Sequence, residues 1–351
     1  GGFVGNGASE LYEDGAFGPP LWEGGSGQAE ARYLETALLV ERQFRRLTDF
    51  GIDRTRWDLL LSYLPFPDEQ LHLWYGYADP GLRGHDPGIA RRLAPWVDQG
   101  LALTDAYVGH LMSRLRPGTI LAVASDHGTG SANRTVNFNV ALQRAGLLAL
   151  SPAGDVDLTR TRAVYFPGNS GYFLVNREER QEGVVRPEDE ARVLDELKAT
   201  LRVIRDPETN QPVVTAILDP RDDGHEPAIG GPVGGDLYVN LAPGYYSSSA
   251  LRGEVVAARL PSGEHLFDPR QPELRAAFAV AGPGVAKGVD LGPIRQIDVA
   301  PTLAALLGIS PPAHAQGVVL WKALERGAPA GAAVTGSDRG SASEVPGLLL
   351  P

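Results

Sequence analysis

Two short apolar runs constrain this chain most: "WDLLLSYL" (57–64) and "TILAVASD" (119–126), each bounded by turn residues. Four to eight apolar residues between turn signals read as a strand buried on both faces, too short for a buried helix. Around them lie helical patterns. Leu34, Leu38, Phe44 and Leu47 recur at helical spacing over 29–49, ending at Gly51. A second helical stretch covers 91–116 and closes on "RPG", and a third covers 135–146, ending at Gly146. Buried strands alternating with helices predict an α/β fold whose central sheet is largely parallel, with helices on both faces.

The rest of the chain divides by composition. Residues 1–28 are glycine-rich and read as an irregular N-terminal segment. Residues 29–150 and 251–325 carry the α/β core; in the latter, "GEVVAARL" (253–260) and "AAFAVAG" (276–282) are strands and "DVAPTLAALLG" (298–308) a helix capped by Asp298. Residues 151–250 read as a small α+β insert: a strand at "GYFLVN" (171–176), a helix near 187–200, and a hairpin over 201–218 turning on "DPETN". From 326 to 351 the chain is small and polar and reads as a disordered tail.

Charge and composition remove several function classes. A net charge of −11 over 351 residues argues against a nucleic-acid partner. "RQFRR" (42–46), the densest basic cluster, reads as a solvated helix face. No apolar run reaches the roughly 20 residues of a membrane span. The absence of cysteine excludes disulfides, thiolate metal ligands and a cysteine nucleophile within these residues.

The chemistry gathers where the two apolar runs end. "SDHG" (125–128) closes the second, and Gly128 and Gly130 allow the chain to turn and bring Asp126 and His127 to one point. A carboxylate beside an imidazole suits a divalent metal such as zinc. It serves equally well as a helix cap next to a solvated histidine, and the motif alone does not choose. A second motif does. "YLPFPDEQLH" (63–72) follows the first run, and Asp68 and His72, four apart, share one face of a helical turn.

Together these residues resemble the alkaline phosphatase superfamily, and within it the type I phosphodiesterase/nucleotide pyrophosphatase branch. The likeness runs from "RYLETALL" (32–39) to "GISPPAHAQGVVL" (308–320) and includes "IRQIDVAPTLAALLGI" (294–309). It implies two zinc ions (Mn2+ or another divalent metal being an alternative) and a small-molecule phosphoester substrate. By the resemblance, Asp126 and His127 bind one metal. Asp68 and His72 bind the other, joined by a histidine in a turn before a "GPG" strand end; His265 in "SGEHLFDPRQPELRAAFAVAGPGV" (262–285) matches it. His225, in the acidic loop with Asp219, Asp222 and Asp223, is the next candidate for that place. His85 and His314 read as solvated and His110 as a partly buried structural residue. Asn137 or Asn139 could contact a phosphate oxygen or serve as a helix cap.

The resemblance also implies an Asp after the first sheet strand and a Thr or Ser nucleophile at a helix N-terminus. Among residues 1–56 the hydroxyls are Ser9, Ser26, Thr36 and Thr48, and none has that setting. The nucleophile and the first Asp are therefore expected upstream of Gly1, and an extracytoplasmic location follows from the resemblance alone. A sulfatase would need one calcium and a downstream Lys that is not found. A phosphoglycerate mutase shares "DHG" with a different continuation, and a non-catalytic metal-binding relative would need no nucleophile.

Overall fold

A computed structural model describes residues 4–166, 171–222, 229–230 and 234–325. Four helices come first: α1 (Val4–Glu13), α2 (Gln28–Arg54), α3 (Asp68–Ala78) and α4 (Pro87–Arg114). There follow β1 (Leu121–Ala124), β2 (Gly130–Asn137), α5 (Phe138–Arg144), β3 (Ala163–Phe166), β4 (Tyr172–Val175), α6 (Pro187–Arg202) and β5 (Val214–Leu218). The last elements are β6 (Tyr238–Leu241), β7 (Gly244–Ser248), β8 (Val256–Glu264), β9 (Phe278–Ala281) and α7 (Val299–Leu307). The chain forms two compact units, Gly1–Arg114 with His127–Arg275, and Leu115–Asp126 with Ala276–Pro351. The class is mixed α/β. Among the described residues, no helix is long and apolar enough to cross a membrane.

The helical part of the first unit closes around aromatic rings. Tyr12 meets Tyr33 and Trp74 edge-on at 5.6 and 6.0 Å, and Trp22 stacks on Tyr77 at 4.1 Å. Such pairs add about 0.5–1.5 kcal/mol each beyond the area they bury. Ala8 and Tyr12, one turn apart, turn α1 toward this cluster and are buried. The N-terminal segment is thus not irregular as its glycines suggested; from residue 4 to 13 it is helical. Glu30 is fully buried there, and Oε1 accepts from the Tyr12 hydroxyl at 2.6 Å and the Leu21 N–H at 2.9 Å.

The run 57–64 is not a buried strand. It belongs to no strand, with Leu59, Leu61 and Tyr63 exposed, Leu61 to 83%. It is tied down by Ser62, whose hydroxyl bonds Thr48 at 2.7 Å and Tyr107 at 2.5 Å. Among the described residues no strand pairs with it. Beside it α2 exposes Leu39, Leu47 and Phe50 among Arg42 and Arg46, while Arg45 pairs with Glu41. An apolar run asks for cover, but its composition does not supply the neighbouring strand.

Among the described residues the sheets are small, of two or three strands, and they do not confirm a largely parallel central sheet. β2 is flanked by β7, parallel, and β8, antiparallel. β3–β4 and β5–β6 are antiparallel pairs. The helix expected over 135–146 begins only at Phe138, since Gly130–Asn137 continue as strand. β-branched Thr135 and Val136 suit that choice. α6 starts with Pro187 at its first turn, followed by Glu188, Asp189 and Glu190, and has Arg202 in its last turn, as its dipole favours. "DPETN" does turn the chain: Asp206 Oδ1 accepts from the N–H groups of Glu208 and Thr209 at 2.9 and 2.8 Å. The arms make only a short hairpin, an antiparallel bridge of Arg205 with Pro212 in which the Asp206 and Val213 N–H groups donate to the Gln211 and Ile204 carbonyls at 3.0 and 3.2 Å; 201–202 finish α6, and β5 goes on to pair with β6. One continuous core, including Val136, Phe138, Leu142, Phe173, Leu197 and Leu237, joins β2 and α5 to the elements between 151 and 250.

In the second unit β1 pairs antiparallel with β9, Leu121 opposite Ala281 and Ala124 opposite Phe278. α7 ends at Gly308, whose φ of 69° is the left-handed C-terminal conformation. Asp298 does not cap α7 by its side chain as expected. Its carboxylate accepts from the Val318 N–H at 2.8 Å and the Arg295 guanidinium at 3.2 Å, tying the segment after α7 to its start. The expected tail at 326–351 lies outside the described residues, as do Asp223 and His225.

Candidate metal centre

α3 opens directly after Pro67, and its first turn closes as Glu69 and Leu71 donate to the Pro65 and Pro67 carbonyls at 3.1 and 3.0 Å. Asp68 is the first helical residue, where the positive end of the helix dipole favours a carboxylate. One turn on, His72 Nε2 stands 3.5 Å from Asp68 Oδ2, the pairing the four-residue spacing predicts.

Glycines decide how near β8 comes to this helix. A Cβ on Gly76 would sit 2.3 Å from the Ser262 nitrogen, and one on Gly263 would sit 2.2 Å from the Leu71 carbonyl oxygen. Without them α3 lies directly on the β8 backbone. His72 Nδ1 then donates to the Gly263 carbonyl at 2.7 Å. That bond keeps a proton on Nδ1 and turns Nε2 toward Asp68; Nε2 becomes the free donor when it gives up its proton, the arrangement common among metal-binding histidines.

Register brings the other histidines in. β2 and β8 run antiparallel with Gly130 opposite Glu264, so His127, just before β2, meets His265, just after β8. Their rings stack at 3.8 Å and 13°. His265 also meets the His72 ring edge-on at 5.1 Å. His127 Nδ1 donates to the Gly128 carbonyl at 2.9 Å, leaving Nε2 as the basic nitrogen. Gly128 is required here, since a Cβ would stand 2.2 Å from the Glu273 carbonyl oxygen.

The donor atoms of Asp68, His127 and His265 all lie within 4.8 Å of one another. Asp68 Oδ1 is buried and has no hydrogen-bond partner. One imidazole nitrogen per ring and an orphaned carboxylate oxygen are the donor set a divalent zinc takes. The residues present therefore fit a metal. Burial opposes charge on His72, but the bond to Asp68, its charge and that of Glu264 outweigh it and push the pKa up to about 9. Burial would likewise raise Asp68, yet its bond to His72 and the nearby imidazoles hold it below the usual carboxylate range. His265 is lowered, by burial first and then by His127 and His72.

Asp126 belongs to the second unit; the side chains that converge in the first are Asp68, His72, His127 and His265. Most of the remaining candidates have structural partners or are solvated. His110 Nε2 bonds Asp49 at 2.8 Å, and His314 is exposed. His85 is half-buried rather than solvated. Asn137 donates to the Glu254 carbonyl at 2.7 Å, and Asn139 holds the Tyr165 backbone through both its amide atoms. Neither side chain caps α5. Asp219 is neutralised by Lys198 at 2.8 Å and Arg221 at 2.6 Å.

Glu264 is the residue that sequence reading missed. It is buried beside His72, with Oε2 3.9 Å from Nδ1. The available signal was the alternation Ser262-x-Glu264, two polar groups on one face of a strand end next to a candidate ligand.

Residues 17–268 match the family model of type I phosphodiesterase / nucleotide pyrophosphatase. Comparison with curated proteins finds no match. Among solved structures, a quadruple mutant of alkaline phosphatase PafA aligns with a TM-score of 0.46 at 15% identity, covering 87% of this chain and 55% of that one. Wild-type PafA aligns with a TM-score of 0.41 at the same identity and coverage. This chain thus spans 55% of the length of those structures. With 252 of its 351 residues inside the family match, the chain belongs to the type I phosphodiesterase/nucleotide pyrophosphatase family.

Proposed function

We propose that this chain forms part of a metal-dependent hydrolase that cleaves a small-molecule phosphodiester or pyrophosphate bond. The observation that carries the reading is the convergence of Asp68, His72, His127 and His265, from three separate stretches of chain, within a family-matched span. Asp68, His72 and His265 would hold one zinc ion; Asp126 and His127 would help hold a second. The close group formed by Asp68, His127 and His265 crosses those two sets, which supports adjoining sites. Metal bound there would lower the pKa of the attacking hydroxyl and neutralise charge on the phosphoryl oxygens.

The protein's own groups do the positioning. The Gly263 and Gly128 carbonyls hold His72 and His127 by Nδ1 and set their tautomers. On this reading none of the four hydroxyls weighed in the sequence attacks phosphorus. Thr36 donates to the Arg32 carbonyl, Thr48 is engaged with Ser62 and Tyr107, Ser9 donates to Glu69 at 3.2 Å, and Ser26 is exposed. The attacking Thr or Ser would come from outside this sequence, and residues 151–250 would shape substrate choice.

The test is hydrolysis of bis(p-nitrophenyl) phosphate by the full-length protein, before and after chelation and zinc return. Turnover lost to the chelator and restored by zinc is the expected result. Hydrolysis of p-nitrophenyl sulfate with no phosphoester turnover would contradict the reading.

A further inference from the structure

We infer that Glu264 is a positioning residue for the metal centre, acting through His72; this rests on the metal-site reading above. Glu264 ends β8 with its side chain only 7% exposed. Its Oε1 accepts from the Ser262 hydroxyl at 2.8 Å and from the Arg259 guanidinium at 2.6 Å. Arg259 in turn lies over the Tyr246 ring, 4.8 Å from its centroid. With Oε1 fixed on that side, Oε2 faces His72 Nδ1 at 3.9 Å, the ring nitrogen that already donates to Gly263. A buried carboxylate is unfavourable unless it is paired and hydrogen-bonded. Arg259 and Ser262 satisfy one oxygen, and the other is aimed at the proton-bearing edge of a candidate ligand. A negative charge there favours the Nδ1–H tautomer and makes Nε2 a stronger donor toward the site. The carbonyl of Gly263 orients the ring; Glu264 holds that orientation against rotation.

A merely structural role is a competing reading, because Arg259, Ser262 and Glu264 all lie on β8 and could simply staple its end. The two readings part on metal binding. Glu264→Gln keeps the shape and the acceptor for Ser262 and Arg259, so it weakens the staple without removing it while the charge facing His72 is lost. Contacts behind a metal-binding histidine typically carry about 10–100-fold in metal affinity.

The measurement is zinc affinity by competition with a chromophoric chelator, together with the visible spectrum of the Co2+-loaded chain. Wild type, Glu264→Gln and Ser262→Ala are compared, with thermal unfolding of each metal-free protein as the folding check. The expected result is about a ten-fold weaker zinc affinity for Glu264→Gln and a shifted Co2+ band, in a chain that still unfolds cooperatively. Ser262→Ala, which removes one of the two donors to Oε1 but keeps the Arg259 bond and the charge, should show a smaller loss in the same direction and keeps the question open to test if Glu264→Gln fails to fold. Affinity and spectrum unchanged in every folded variant would overturn the role of Glu264 while leaving the metal site standing. A wild-type chain that takes up neither zinc nor Co2+ would overturn the site reading itself, and this role with it.

Discussion

Asp68 keeps one carboxylate oxygen, Oδ1, buried with no hydrogen-bond partner, while Oδ2 faces His72. A buried acceptor left unmade costs about 1–3 kcal/mol, more when charged, and on the proposed reading a metal at Oδ1 would offset that cost. Replacing Asp68 by Ala should weaken zinc binding by more than the roughly 10–100-fold that outer contacts carry, while the metal-free chain loses only the pairing with His72 and stays folded. Competitive zinc titration and a melting curve check both halves. Asp206 is the opposite case, a buried carboxylate used entirely for structure. Burial would raise its pKa, but the Tyr245 hydroxyl at 2.5 Å and the Thr209 and Glu208 N–H groups hold it well below the usual range. A carboxyl depressed in the folded state contributes stability above its unfolded pKa of about 3.9 and loses it as pH falls toward the folded value. Asp206→Asn should therefore cost about 2 kcal/mol at pH 7, with the gap to wild type closing in acid. Urea unfolding at a series of pH values measures it; a gap constant with pH would remove the charge from the explanation.

At the level of elements, the centre depends on how closely α3 lies on β8. Gly76→Ala places a Cβ against the Ser262 backbone, a contact that neither partner can relieve by a rotamer change. Overpacking of this kind costs about 1–3 kcal/mol. It should also move His72 off the Gly263 carbonyl, so stability and zinc affinity are expected to fall together. Gly109, inside α4 and meeting no atom within 4 Å, is the control. Its change to Ala should leave zinc affinity alone and stabilise by up to about 1 kcal/mol through helix propensity. The run 57–64 gives a second element-level test. A buried strand would lose about 2–5 kcal/mol on truncation of a central Leu, whereas Leu61, 83% exposed, should tolerate Ser within about 0.5 kcal/mol. A loss of several kcal/mol in Leu61→Ser would show that this face is covered in the chain as it exists in solution.

Across the whole molecule, what could be read from the sequence was local and what could not was pairwise. Asp68 and His72 were legible because a helix fixes residues four apart on one face, and α6 and α7 because Pro187 at the start of the one, Gly308 at the end of the other, and their periodicity agree. His265 was legible through the family motif around it. The sheet was not: the apolarity of 57–64 and 119–126 states only that cover is favoured. The partner and direction of β1 were set by β9, more than 150 residues away. The meeting of His127 with His265 follows from one register, Gly130 opposite Glu264, which no single stretch of sequence displays. Glu264 stayed hidden because a carboxylate at a strand end is usually solvated, and only the Arg259 and Ser262 contacts show otherwise.

The central claim, that Asp68, His72, His127 and His265 form a divalent-metal centre, is tested most directly by the metal content of the purified chain after zinc loading and dialysis. Wild type is compared with the Asp68→Ala/His265→Ala double variant. On the proposed reading the Asp68–His72–His265 set would supply three protein ligands, enough for a zinc with water in the fourth position. The account predicts about one zinc retained per wild-type chain and almost none in the double variant, both proteins remaining folded. Equal zinc in the two proteins, or none in the wild type, would contradict it.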